Sequence, residues 1–139
     1  MRAVYPVARG DYARAGEASA DIKRTLRQLG VDAGVLRRIA VAAYESELNL
    51  VIHSLGGEMV LEVDQERVVL TSRDEGPGIP NVEEAMRAGF STADDTARDY
   101  GFGAGMGLPN MKRNADTFFI QSRVPDGTSI RMTFALPKR

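Results

Sequence analysis

Cysteine is absent from this sequence, and histidine occurs only once, at His53. Without cysteine the chain has no disulfide framework, no thiolate zinc site and no thiol nucleophile. A single histidine also excludes a metal centre built from several imidazole ligands. Thiol chemistry and zinc chemistry are therefore excluded as functions of this chain.

A strong charge of one sign is also missing, as are long apolar runs. The 18 basic and 19 acidic residues give a net charge of −1, so no overall field recruits nucleic acid or an anionic membrane. No apolar run approaches the roughly 20 residues of a membrane span, and the opening MRAVYPVARGDYARAG lacks the apolar core of a signal peptide. We expect a cytoplasmic protein that binds its ligands at a local site, with no nucleic-acid or membrane partner.

The length and the periodicity predict one domain over residues 1–139. At 139 residues and 43% hydrophobic composition, the chain is long enough to bury a single core without disulfides or metals. Helical spacing dominates the first half and strand alternation the second. The predicted fold class is α+β, a two-layer sandwich with helices on one face of a mixed, mostly antiparallel sheet.

In the first half, AVYPVA predicts an edge strand, and two helices follow. Helical spacing in the first helix relates Tyr12, Ala15, Ala18, Ile22, Leu26 and Leu29. Gly30 stands where a helix C-terminal glycine belongs, and Asp32 is the expected N-cap of the second helix. The Gly56-Gly57 pair is expected to end that helix. Its inward side is predicted to carry Val35, Leu36, Ile39, Ala43, Leu48, Val51, Ile52 and Leu55.

In the second half, MVLEV and RVVLTS alternate about DQE and predict a hairpin whose second strand ends near Asp74. A short helix is expected over residues 81–88, followed by a glycine-rich stretch to Leu108. PNMKRNAD predicts another helix, with Pro109 in its first turn. TFFIQSRV and SIRMTFAL, joined by PDGT, predict a closing hairpin.

Glu45, Asn49 and His53 form a polar stripe on the second helix, because residues four apart share one side. Glutamate and asparagine are common on solvated helix edges. Asparagine inside a helix is less usual, since its side chain competes for backbone hydrogen bonds. A short carbonyl ligand, of the kind that Mg²⁺ uses, is the functional alternative.

The loop RDEGPGIP places Asp74 next to Gly76 and Gly78. Glycine-rich loops bind phosphate through backbone N–H groups, which a neighbouring carboxylate would oppose. Either this loop binds no nucleotide, or Asp74 faces a part of the ligand that requires an acceptor. A plain turn is the structural alternative.

A second glycine-rich string, GFGAGMGLPNMKR, leads into a predicted helix. Its glycines and the positive end of that helix predict a phosphate site. The string does not follow a strand within a βαβ unit, and no GxxxxGK[ST] string occurs. A Rossmann site and a P-loop are therefore not supported.

Taken in order, these three segments resemble the sequence boxes of the GHKL superfamily of ATP-binding domains, or Bergerat fold, which includes gyrase-type ATPases and histidine kinases. Glu45-x-x-x-Asn49 resembles its N box, and Asp74-x-Gly76-x-Gly78 its first glycine box. Residues 103–107 resemble the second glycine box, and Gly127-Thr128 the following Gly-Thr pair. Within the superfamily, the chain is most similar to the anti-sigma-factor serine kinases of sporulation and stress signalling, in the strings ExxxNxxxH, DEGPGIP, GFST and GLPNMKR. Their switch-kinase branch is the most similar in GFST and GAGMGLPNMKR.

The resemblance implies ATP and Mg²⁺ as cofactors. In this superfamily the loop aspartate accepts a hydrogen bond from the adenine amino group, so Asp74 would recognise the base. Asn49 would bind Mg²⁺, and Glu45 would act as the catalytic base. The other nucleotide contacts implied are Gly76, Gly78, Ile79, Gly103, Ala104, Gly105, Met106, Gly107, Leu108 and Thr128. The hydroxyl of Thr128 would either contact phosphate or simply begin a strand, and His53 is expected to be structural.

The resemblance further implies a serine protein kinase that phosphorylates a small anti-anti-sigma partner of the STAS type. A nucleotide-dependent module that sequesters a sigma factor or other regulator, and a stand-alone ATPase, are the alternatives, and a homodimer is left open. Residues 90–108 are expected to form a lid that orders over the triphosphate. The segment ADDTARDYGF is longer than in the switch-kinase branch.

Overall fold

The structure is a computed structural model that describes residues 1–79, 82–87 and 107–138. The five strands of these residues form one sheet, in the spatial order first, second, third, fifth, fourth, and every described pairing is antiparallel. The first strand lies at one edge, as predicted. The strands are β1 (Arg2–Val7), β2 (Gly57–Val63), β3 (Arg67–Asp74), β4 (Thr117–Arg123) and β5 (Gly127–Ala135).

Four α-helices and one 3₁₀ turn, Tyr12–Arg14, accompany the sheet in the described ranges. The helices are α1 (Glu17–Gln28), α2 (Ala33–His53), α3 (Val82–Ala85) and α4 (Gly107–Asn114). Helix α2 packs between α1 and α4 and also contacts β1, β2, β3 and β5. This arrangement makes α2 the centre of the helical layer. None of the helices in the described ranges has the length and apolarity that a bilayer crossing requires.

The core lies between the helices and one face of the sheet. The strand register places Leu61, Leu70 and Met132 side by side across β2, β3 and β5, and all three side chains are fully buried. Ile39 and Leu50 of α2 belong to the same cluster. The α+β, two-layer prediction is therefore confirmed, although the described pairings include none of the parallel ones that a mixed sheet would have.

Several predicted turns and caps are found where the sequence placed them. Asp32 precedes α2, and its Oδ2 accepts hydrogen bonds from Gly34 N (3.0 Å) and Val35 N (3.2 Å). Gly30 follows α1 with φ of 76°, a left-handed conformation that glycine adopts without strain. In the β2–β3 turn, Asp64 Oδ1 accepts from the amides of Glu66 and Arg67.

Two helix predictions were wrong at their ends. The first helix begins at Glu17 and not near Tyr12, because Gly16 has φ of 101° and interrupts the helical backbone. Leu29 lies beyond the end of α1 and is exposed. The second helix ends at His53, where Ser54 becomes extended, so Leu55 is exposed. Leu48 and Ile52 are only partly buried, and Leu50 takes the inward position.

In the second half, the hairpins and the strand end at Asp74 are confirmed. The helix expected over residues 81–88 is present as the single turn α3 in the described part. Helix α4 begins two residues earlier than PNMKRNAD predicted and ends at Asn114. The predicted lid, residues 90–108, lies outside the described residues except for Gly107 and Leu108.

Candidate functional site

The polar stripe predicted on α2 is present. Glu45, Asn49 and His53 occupy successive turns of the helix, and all three side chains are partly buried. The eight helical steps from Glu45 to His53 span about 12 Å at the usual helical rise. A ligand lying along this side of α2 would therefore meet different groups at its two ends.

Glu45 faces the beginning of α4. Its Oε1 accepts a hydrogen bond from Nδ2 of Asn110 at 3.4 Å. A Cβ at position 107 would lie 3.2 Å from Oε2 of Glu45, so glycine at 107 leaves room for the carboxylate. Burial raises the pKa of Glu45, and the bond from Asn110 opposes that rise. The carboxylate is thus a stronger base than an exposed glutamate.

Asp74 lies at the other end of the stripe, at the end of β3. Its Oδ1 accepts two backbone hydrogen bonds, from Gly76 N at 3.0 Å and from Thr128 N at 2.8 Å. Within the described residues, these bonds occupy Oδ1 and not Oδ2. Burial raises the pKa of Asp74, and the two backbone bonds act in the opposite direction. Oδ2 is therefore the oxygen that a ligand's donor would meet.

The loop after Asp74 is held tightly against the β4–β5 hairpin. Gly76 has φ of 129°, and a Cβ there would lie 2.6 Å from the carbonyl oxygen of Pro125. Gly78 has φ of 85°, and its Cβ would lie 2.6 Å from the carbonyl oxygen of Arg123. Both the positive φ and the close backbone approach require glycine. The carbonyl of Gly76 also accepts from Leu55 N at 2.8 Å, which joins the loop to the end of α2.

Ile79 and Thr128 are tied together through Ser122. The amide of Ile79 donates to Ser122 Oγ at 2.6 Å, and that hydroxyl is 2.8 Å from Thr128 Oγ1. Thr128 is buried in β5 beside Asp74. This position favours a structural role for the Thr128 hydroxyl in β5, near Asp74, over a contact with phosphate.

The remaining predicted residues fall into two groups. Gly107 and Leu108 begin α4, and the Leu108 side chain is buried in the core, so its backbone is the part that a ligand could reach. Gly103, Ala104, Gly105 and Met106 lie outside the described residues. Burial lowers the pKa of His53, which disfavours its cationic form and agrees with a structural role.

Two residues of this site were missed by the sequence analysis. Asn110 was treated only as part of the helix string PNMKR, and Ser122 only as part of a strand. Asn110 follows Pro109 in the first turns of α4, next to the expected phosphate site. The signal that could have identified Asn110 was a polar side chain in the first turns of a helix next to that site. Ser122 carried no such signal, because its partner Ile79 is 43 residues away in the chain.

The arrangement separates two kinds of chemistry. At one end, Asp74 offers an acceptor in a rigid loop. At the other end, Glu45 offers a base beside the N-terminus of α4, where backbone N–H groups favour an anion. Asn49 lies between them, and its amide oxygen suits Mg²⁺, which usually takes one or two protein ligands together with phosphate oxygens and waters.

Comparison with known proteins agrees with these features. The family model described as histidine kinase-like ATPase domain matches residues 8–134. Serine/threonine-protein kinase RsbT of Bacillus subtilis (strain 168) is 30% identical over 113 residues, which cover 78% of this chain and 79% of that protein. An anti-sigma F factor of Bacillus licheniformis is 35% identical over 119 residues, 81% of this chain and 78% of that protein. The structure of the mycobacterial sensor histidine kinase MprB matches 100% of both chains with a TM-score of 0.55 and 17% identity, a likeness of fold alone.

Proposed function

This chain belongs to the histidine kinase-like ATPase family, and we propose that it is an ATP-dependent serine protein kinase of the anti-sigma-factor type. Its substrate is a serine on a small regulatory partner, a STAS-type domain. The proposal is supported by similarity to a serine/threonine-protein kinase and to anti-sigma F factors. The geometry around Glu45 is the observation that carries it.

Glu45 is suited to accept a proton at the phosphoryl end of the site. Its carboxylate is partly buried, and its Oε2 lies against Gly107, the first residue of α4. The serine hydroxyl of the partner would give its proton to Glu45 as its oxygen bonds to the γ-phosphorus. The bond from that phosphorus to the bridging oxygen breaks, and ADP leaves with the electron pair. Phosphoryl transfer needs mainly such positioning and electrostatic support.

Asn49 is the side chain that would hold Mg²⁺. It lies one turn after Glu45 and about one turn before the end of α2 at the Asp74 loop. When bound, the ion neutralises charge on the phosphates. The amide oxygen of Asn49 orients the nucleotide relative to Glu45, because both side chains project from the same helix.

Asp74 gives the site its preference for adenine. Because Oδ1 is engaged by Gly76 and Thr128, Oδ2 accepts from the exocyclic amine of the base. Guanine would present a carbonyl oxygen to the same carboxylate, and two acceptors do not form a hydrogen bond. Gly76 and Gly78 let the backbone approach the purine closely.

A second candidate function is nucleotide-gated sequestration of a sigma factor. Relatives that carry the name anti-sigma F factor favour it. The two functions are compatible in one protein, since one partner can bind next to the nucleotide whose γ-phosphate is transferred to another partner. A stand-alone ATPase differs from both in releasing phosphate to water when no partner is present.

The deciding experiment is incubation of the protein with radiolabelled ATP, Mg²⁺ and STAS-domain or sigma-factor candidates. We expect label on a serine of the STAS protein with wild type and only a small residual rate of transfer with Glu45→Gln, although Glu45→Gln still binds MgADP. Asp126→Asn removes an exposed carboxylate from the β4–β5 turn and serves as the charge-matched control with normal transfer. Full transfer by Glu45→Gln would remove Glu45 from the mechanism, and co-purification with a sigma factor without transfer would favour sequestration.

A further inference from the structure

Asn110 connects α4 to the proposed base. Asn110 is the fourth residue of α4. Although 65 residues separate it from Glu45 in the chain, its Nδ2 donates a hydrogen bond to Glu45 Oε1 at 3.4 Å. Catalytic hydrogen bonds are often this long before substrate binds and shorten in the reactive complex. The contact therefore joins the helix of the expected phosphate site to the group that would take the proton.

The orientation of the Asn110 amide is determined by its second partner. Arg113 Nη1 donates to Asn110 Oδ1 at 3.2 Å. A guanidinium has only donors, so the amide oxygen must face Arg113 and the amide nitrogen must face Glu45. Arg113 thus selects the rotamer of Asn110 that presents a donor to the carboxylate.

The two oxygens of Glu45 consequently have different surroundings. Oε1 receives the bond from Asn110, whereas Oε2 lies at the start of α4, against Gly107. A carboxylate with one oxygen held cannot rotate freely about its last torsion. The unheld oxygen then remains at the phosphoryl end of the site.

We propose that Asn110 is a positioning residue for the reaction: it holds Oε1 of Glu45 so that Oε2 meets the attacking hydroxyl, and Arg113 orients Asn110 for this task. This inference rests on the proposed kinase function. Because Asn110 is part of α4, any displacement of that helix also moves the hydrogen-bond partner of the base. The position of α4 and the readiness of Glu45 are thereby linked.

The kinetic test compares variants of Asn110 with a matched variant one turn further along α4. Asn110→Ala should lower kcat for transfer to the partner serine about 10- to 100-fold, the range in which small misplacements of catalytic groups fall. KM for ATP should stay within about twofold, because the side-chain amide of Asn110 is engaged by Glu45 and Arg113. Asn110→Gln keeps a donor amide and should recover part of the loss. Asn114→Ala removes the other α4 asparagine amide, which donates to the backbone carbonyl of Asn110 at 2.8 Å, and should keep normal kcat.

A double mutant separates positioning from general damage to the fold. In the Glu45→Gln background, Asn110→Ala should produce no further loss, because the group that it positions is already gone. A purely structural role would reduce the residual rate again by the same factor. Wild-type kcat in Asn110→Ala, or this second reduction, would overturn the proposal.

A measurement that does not depend on phosphoryl transfer distinguishes a failure of the positioning role of Asn110 from a failure of the kinase proposal. The side-chain amide ¹⁵N–¹H resonances of Asn110 should shift in Glu45→Gln, while those of Asn114 should not. Unchanged Asn110 resonances would refute the positioning role even if no phosphoryl acceptor is ever found. Absence of transfer by the wild-type protein, with shifted resonances, would refute the kinase proposal alone.

Discussion

Replacing Asp74 with asparagine should weaken adenine nucleotide binding while leaving the protein folded. The structure explains why one atom matters here. In the proposed site both oxygens of the carboxylate act as acceptors, because Oδ1 receives the amides of Gly76 and Thr128 and Oδ2 would receive the base amine. Asparagine has a single acceptor oxygen. Whichever way its amide turns, one of these pairings places two donors against each other.

The size of the effect follows from the pairing that is lost. A hydrogen bond to a charged acceptor contributes about 1.5–3 kcal/mol, which corresponds to a decrease in affinity of about 10- to 150-fold. The fold should tolerate the change, because burial raises the pKa of Asp74 despite its two backbone bonds. The ionised form is therefore disfavoured at this position, and removing the charge offsets part of the weakened backbone bonding.

Calorimetric titration with MgADP and MgGDP measures the effect without turnover. Wild type should prefer ADP, and Asp74→Asn should lose most of that preference with an unfolding free energy within about 1 kcal/mol of wild type. Asp126→Asn, an exposed carboxylate of the adjacent turn, should bind both nucleotides as wild type does. Equal wild-type affinities for ADP and GDP, or an unchanged ADP affinity in Asp74→Asn, would refute the assignment of Asp74 to the base.

Four further changes have defined expectations. Because burial raises the pKa of Glu45 in the folded protein, ionisation of Glu45 lowers stability as the pH rises from the ordinary pKa of 4.5 through the raised pKa. The urea midpoint of Glu45→Gln should therefore exceed that of wild type at a pH above the raised pKa, and should not exceed it at a pH below 4.5. Asn49→Ala should make ADP affinity independent of Mg²⁺, and titrations with and without EDTA would reveal any dependence that persists. Glu47→Ala should lower the unfolding free energy by about 2–4 kcal/mol, because the part-buried amide of Ala18 and the buried amide of Ser19 lose their carboxylate acceptor, and a change below about 1 kcal/mol in urea denaturation would contradict this. Gly78→Ala should reduce both stability and ADP affinity, since a Cβ meets the Arg123 carbonyl oxygen at 2.6 Å; normal calorimetric binding would argue against a rigid loop.

Local signals in the sequence determined most of the secondary structure. Asp32 as an N-cap, Gly30 after α1 and both hairpins depend on residues that are close together in the chain, so propensity and periodicity detect them. The ordered boxes around Glu45 and Asp74 likewise indicated the family before any contact was known. These features are local in the chain, and each was recognisable there.

The start of α1 shows what the sequence could not determine. Glu47 is buried, and its carboxylate accepts from Ala18 N at 3.2 Å and Ser19 N at 2.9 Å, although 29 and 28 residues separate them. A charged residue on α2 thus caps the N-terminus of another helix. Helical periodicity predicted a longer first helix because it contains no information about such a partner.

The site itself shows the same division. The identities of Asp74, Asn49 and Glu45 were visible in the sequence, but their hydrogen-bond partners were not. Thr128 reaches Asp74 across 54 residues, and Asn110 reaches Glu45 across 65. Which oxygen of each carboxylate is engaged, and which one faces a ligand, is decided only when β5 pairs with β3 and α4 packs on α2. The sequence alone determined the local elements and the chemical groups; the tertiary structure decided how those groups are oriented, because hydrogen bonds between distant segments exist only in the packed fold.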